Sequence, residues 1–96
     1  MIKNFKSKSA CDIYDGINSK DARKIPKELH NKARRLFDQI NAVSSVTILR
    51  KPPSNRLEKL SGKFKDRWSL RINDQWRIVF RWQENNAFDV DVVDYH

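Results

Sequence analysis

The chain is expected to adopt an α+β fold, a small antiparallel β-sheet with two N-terminal helices packed on one face. Three observations predict this. In the first half, apolar residues recur with the 3.6-residue period of a helix. From Asn55 onward they recur with period two, the signature of strands with one covered face. Between the two regimes, Pro52-Pro53 interrupts regular structure. At 96 residues the chain reads as one domain spanning 1–96, because a second would be too small to bury its own core.

Along the chain, Ile2 to Phe5 alternates apolar and polar residues, which suits a short strand. A brief helix is expected around Ser9 to Ile17, ending near Gly16. The strongest helical pattern runs from about Asp21 to Val43, with Pro26 in its first turn, where the missing N–H is harmless. Ile25, Leu29, Ala33, Leu36, Phe37, Ile40 and Val43 form its apolar stripe. Lys27, Lys32, Arg34, Arg35 and Asp38 lie opposite, either as a solvated face or as a contact for nucleic acid. Ser44 to Lys51 fits no single pattern.

Arg56 to Leu60 reads as a strand and Ser61-Gly62-Lys63 as a turn. Three further strands follow, in which Trp68, Leu70 and Ile72, then Trp76, Ile78, Phe80 and Trp82, then Phe88, Val90 and Val92 point to the core. Parity sets the register. A two-residue turn at Asn73-Asp74 would place Leu70 opposite Arg77 and mix the faces, so a three-residue loop, Asn73-Asp74-Gln75, is expected. It pairs Ile72 with Trp76, Leu70 with Ile78 and Trp68 with Phe80. The same logic pairs Phe80 with Val90 and Ile78 with Val92. The uncovered face then carries Arg67, Arg71, Arg77 and Arg81, with Asp89 and Asp91 nearby.

Charge narrows the function. Twenty Lys and Arg against twelve Asp and Glu give +8, which favours a polyanionic partner. The single cysteine, Cys11, excludes an internal disulfide and fits a reducing compartment. As a nucleophile it would have only His30 and His96 to activate it. Met1-Ile2-Lys3-Asn4-Phe5 leads into no apolar signal region, and no run is long enough to span a bilayer; a cytoplasmic protein is expected. No Gly-rich phosphate loop, His/Cys metal spacing or nucleophile elbow occurs, so neither metal nor cofactor is indicated.

Several residues carry possible chemistry. Asp94, Tyr95 and His96 offer a carboxylate, a stacking phenol and an imidazole that titrates near neutrality. Arg77, mid-strand on the open face, can bind a phosphate through paired hydrogen bonds, or else form an ion pair with Asp89 or Asp91. Arg71 and Arg81 share that alternative. Lys59 and Lys63 flank the turn after the first sheet strand and can reach the same phosphate, or stand as surface lysines. Glu58 is a candidate second acid–base group.

The segments Asn55-Arg56-Leu57-Glu58-Lys59-Leu60-Ser61-Gly62, Trp68 through Phe80, and Val93-Asp94-Tyr95-His96 resemble the HigB toxins. These are plasmid-maintenance killer proteins of the RelE/ParE superfamily, and the opening Met1 to Phe5 matches their usual start. The branch typified by the GraT toxin is similar in its "RLE-LSG" segment and "VDYH" terminus. The resemblance implies a microbial-ribonuclease-like fold and metal-independent mRNA cleavage in the 30S ribosomal A site, by attack of the 2′-OH on the adjacent phosphate. It also implies a helix-turn-helix antitoxin of the HigA type, encoded beside it. By position, Asp94, Tyr95 and His96 fall on the family's C-terminal catalytic cluster and Arg77 on its phosphate-binding arginine.

Two departures stand out: studied members have histidine at Glu58 and lysine at Ser61. Glu58 as base with His96 as acid is one division of roles. Strand parity also puts Tyr95 on the Arg77 face and His96 on the other, so the last residue must turn off the strand to join them. The rival functions are a non-catalytic poison, such as a ParE-like gyrase binder or a ribosome-assembly inhibitor, and a plain RNA-binding module. The last would need surface aromatics, whereas Trp and Phe here are expected on the core face.

Overall fold

The computed structural model describes residues 1–95 apart from Lys65, with Phe64 described by its backbone alone; Lys65 and His96 lie outside it. Two α-helices, α1 (Lys8–Asp15) and α2 (His30–Ala42), precede four strands: β1 (Glu58–Lys59), β2 (Arg67–Arg71), β3 (Trp76–Gln83) and β4 (Asn86–Asp94). The strands form one antiparallel sheet in the order β1-β2-β3-β4. Helices and sheet enclose a core built around Ile13, Phe37, Ile40, Leu70, Ile78 and Phe80. No described helix is long and apolar enough to cross a membrane.

Helix α1 starts where Ser7 Oγ accepts the backbone N–H of Ala10 and ends at Gly16, whose φ of 72° only glycine adopts without strain. The expected helix from Asp21 to Val43 is shorter than its apolar pattern. Ile25 and Pro26 are extended (ψ 136° and 129°), leaving 3-10 turns at Ala22–Lys24 and Lys27–Leu29 before α2 begins at His30. The cause is steric: proline disfavours the α conformation in the residue before it. Pro26 therefore sits outside the helix, while Ile25 still reaches the core. Arg34, on the basic side of α2, donates 3.1 Å to the carbonyl of Ile13 near the end of α1, so this cation joins the helices.

Ser45–Lys51 contains a 3-10 turn, Val46–Arg50, and Asn55 secures the connection that follows. Its buried amide donates to Gln39 Oε1 (2.9 Å) and to the carbonyls of Leu49 (3.2 Å) and Lys51 (3.3 Å). The strand expected over Arg56–Leu60 reduces to Glu58–Lys59, because Arg56 takes a left-handed conformation (φ 47°) that breaks extension.

The three-residue loop between β2 and β3 forms as parity requires: Trp68 pairs with Phe80, Leu70 with Ile78, and Ile72 N–H donates to the Trp76 carbonyl. The next hairpin reaches its register differently. Glu84 and Asn85, both at positive φ, make a two-residue turn, and an extra residue in β4 is absorbed by a bulge with Asp89 at φ 53°. Ile78 pairs with Val92 as expected, but Phe80 faces the bulge instead of pairing with Val90. One residue of slip also turns Phe88 out of the core and opposite Arg81, whose guanidinium lies 5.1 Å from its ring centroid. Ala87 takes the buried place. The N-terminal segment runs parallel to the outer edge of β4 through bridges at Ile2–Ala87 and Phe5–Val90.

Candidate functional site

Arg77 is the centre of the open face. Its side chain is 12 % exposed. Nη1 donates to Ser69 Oγ at 2.9 Å and to the Arg56 carbonyl at 3.3 Å, and Nη2 donates to Glu58 Oε1 at 3.3 Å. The ring of Tyr95 lies against it, 5.4 Å from ring centroid to guanidinium carbon. Three strands and the chain terminus converge here because β1 pairs Glu58 with Ser69, β2–β3 pairs Arg71 with Arg77, and Tyr95 N–H extends β4 by bonding the Gln75 carbonyl at 2.6 Å.

The result is a guanidinium held in one orientation from below, with an accessible carboxylate (Glu58, 51 % exposed) and a phenol beside it. An ion pair this open contributes little stability, of order 0–1 kcal/mol. Its chemical value lies in orientation, since a fixed guanidinium needs no reorganisation to meet an anion. The alternative partners of Arg77 are engaged elsewhere: Asp89 with Arg81 at 3.0 Å, and Asp91 with the hydroxyl of Ser7 at 2.5 Å.

The other candidate residues are dispersed. Asp94 pairs across from Trp76, off the Arg77 face, and its carboxylate accepts from Gln75 at 3.0 Å. Arg71 neighbours Arg77 but is bridged to Asp74 at 2.6 Å, a bond that holds the Asp74 carboxyl below its usual range. Arg81 stands further along β3, bound to Asp89 and Gln83. Lys59 pairs across from Trp68 and lies over that indole, 5.5 Å from its centroid, away from Arg77. Lys63 is exposed in the 3-10 turn Gly62–Phe64. His96 lies outside the described residues. Among the described residues no cluster suited to a metal ion occurs.

Two contributors were absent from the sequence candidates. Ser69 is fully buried and anchors Arg77; its only sequence signal is a small polar residue at an open-face position between Arg67 and Arg71. Arg56 contributes a backbone carbonyl presented by its left-handed conformation, which no side-chain pattern encodes.

Known proteins share this architecture and sequence. The family profile of the RelE-like toxin HigB of type II toxin–antitoxin systems matches residues 3–96. Toxin HigB-1 of Vibrio cholerae serotype O1 is 34 % identical over 89 residues, covering 93 % of this chain and 92 % of the relative. Endoribonuclease HigB of Proteus vulgaris is 26 % identical over 99 residues and matches along the full length of both chains. The fold is that of a chain in the YoeB–YefM complex from Staphylococcus aureus, with a TM-score of 0.58, 19 % identity and coverage of 100 % and 98 %. The chain belongs to the HigB-like family of RelE-like toxins of type II toxin–antitoxin systems.

Proposed function

We propose that this toxin is a ribosome-dependent endoribonuclease that cleaves mRNA in the 30S A site without a metal and thereby stops translation. The observation that carries the proposal is Arg77, locked by Ser69, Arg56 and Glu58 and flanked by Tyr95. The activity in the name of the Proteus vulgaris relative supports the endoribonuclease part of this reading.

In the proposed reaction the RNA 2′-oxygen forms a bond to the adjacent phosphorus as the bond from phosphorus to the 5′-oxygen breaks. Glu58 takes the 2′-OH proton, and His96 supplies one to the leaving 5′-oxygen. Arg77 stabilises the charge that accumulates on the phosphate, sharing its Glu58-facing edge with the incoming anion. Tyr95 stacks on the substrate, while Asp94, anchored by Gln75, holds Tyr95 near the cluster. Arg71, Arg81, Lys59 and Lys63 bind RNA around this centre. The ribosome and its mRNA place the reaction in the cytoplasm, and a helix-turn-helix antitoxin of the HigA type silences it.

His96→Ala or Arg77→Ala is expected to abolish growth inhibition in a protein that still folds, with rate losses of about 10²–10⁴ for the acid–base group. Primer extension on translated mRNA should show discrete cuts with the wild type and none with either variant. Undiminished toxicity in both variants overturns the catalytic proposal and points to a poison that acts by binding alone.

A further inference from the structure

Further along the sheet from Arg77 lies a cavity. It measures about 330 Å³ and is lined by Lys59, Asp66, Trp68, Arg81, Trp82 and Gln83. That is the lower end of the range of small-ligand sites, on the order of 300–1,000 Å³. Trp68 and Trp82 lie on the core face as expected and pack against the core, yet stay half-buried. Trp82 is braced edge-on by Phe80, with centroids 6.4 Å apart. Lys59 lies over Trp68 at the rim, and Arg81 is held there by Asp89 and Gln83.

The described lining residues are two indoles, an amide and charged groups, with no histidine, cysteine or hydroxyl among them, a composition suited to holding a ligand. Its chemistry selects the occupant. Two indole surfaces favour a flat ring. Asp66, exposed in the turn before β2, opposes an anion inside the cavity but accepts hydrogen bonds from an amino group, and the Gln83 amide can both donate and accept. Cations at the rim suit a phosphate just outside.

We propose that this cavity takes one unpaired base of single-stranded RNA, stacked on the indoles, with its exocyclic amino group toward Asp66 and the adjoining phosphate met by Lys59. A net charge of +8 brings such a polyanion to the surface. The lining lies level with three to six positions along β3 from Arg77, roughly 10–20 Å at about 3.3 Å per residue, so a base stacked between the indoles is a neighbour of the one at the scissile bond. The inference rests on RNA being the ligand of this toxin and not on cleavage.

The test uses a 2′-O-methyl RNA hexamer, which lacks the attacking hydroxyl, and an abasic hexamer of equal length, each titrated against the full chain by indole fluorescence. The wild type should bind the base-bearing hexamer about five- to a hundredfold more tightly. Trp82→Leu should reduce that difference severalfold while binding the abasic hexamer as the wild type does. Lys59→Gln should weaken both ligands and reduce the salt slope by about 1. Equal wild-type affinities for the two hexamers, or a Trp82→Leu protein that keeps the difference, overturns the proposal. If Trp82→Leu does not fold, the wild-type comparison decides. Arg77→Ala should lose cleavage on ribosomes but keep the preference for bases, which separates failure of this pocket from failure of the catalytic proposal.

Discussion

Glu58 is the residue on which the proposed chemistry turns. It stands where studied relatives of the resembled family have histidine, and it donates nothing; as a carboxylate it accepts from Arg77 at 3.3 Å. Glu58→Gln keeps its shape and an oxygen for Arg77 but removes the base. On the proposed division of roles this variant should slow single-turnover cleavage on programmed ribosomes by about 10²–10⁴, leaving ribosome binding intact. Glu58→His should retain or raise the rate. A Gln variant within about threefold of wild type is too active for a lost general base and would assign Glu58 to the ion pair alone. The residue type was visible in the sequence, but its contact was not. Glu58 and Arg77 lie nineteen positions apart in the sequence, and only the pairing of Glu58 with Ser69 brings them together.

At the scale of elements, two irregular positions define local geometry and can be tested separately. Gly16 closes α1 at φ 72°, and a Cβ there would meet nothing within 4 Å. Gly16→Ala should therefore cost about 1–2 kcal/mol from backbone strain alone, read as a lower midpoint in urea at unchanged slope. The bulge in β4 is pinned by Asp89, which accepts from Asn4 (2.9 Å) and Arg81 (3.0 Å) while its own N–H donates to Asn4 Oδ1 (2.9 Å). The Asn4 hydrogen bond, then that of Arg81, holds the Asp89 carboxyl below its usual value. A carboxyl lowered in the folded state adds stability above its unfolded pKa of about 3.9, lost as pH falls through the folded value. Acid titration should show stability falling below about pH 4. Asp89→Asn, which tolerates the same positive φ, should be less stable at neutral pH and show a flatter decline in acid. An unchanged acid profile would remove Asp89 from the set of stabilising carboxylates.

For the whole molecule, the proposed function assigns encounter with RNA to the excess of cations and the chemistry to the pre-organised Arg77 cluster. Raising salt should therefore weaken ribosome binding steeply, as expected for released counterions, and leave single-turnover cleavage at saturation nearly constant. A domain of this size has little surface with which to bend RNA into line for attack. Naked mRNA should be cleaved poorly, and added programmed ribosomes should stimulate cleavage strongly. Equal rates with and without ribosomes would identify a free ribonuclease instead.

The sequence by itself determined what is encoded locally. The α+β class followed from the change of hydrophobic period, the loop between β2 and β3 from parity, and the family from ordered motifs. In each case the information lies in neighbouring residues, because side-chain periodicity and loop length are properties of a short stretch of backbone. Tertiary structure decided which residues meet. It brought Glu58, Ser69 and the Arg56 carbonyl to Arg77, turned Phe88 outward and left Trp68 and Trp82 beside an open cavity. Those outcomes depend on strand pairing across distant sequence and on one inserted residue at Asp89. A shift of one residue reverses the face of every side chain beyond it until the register is restored.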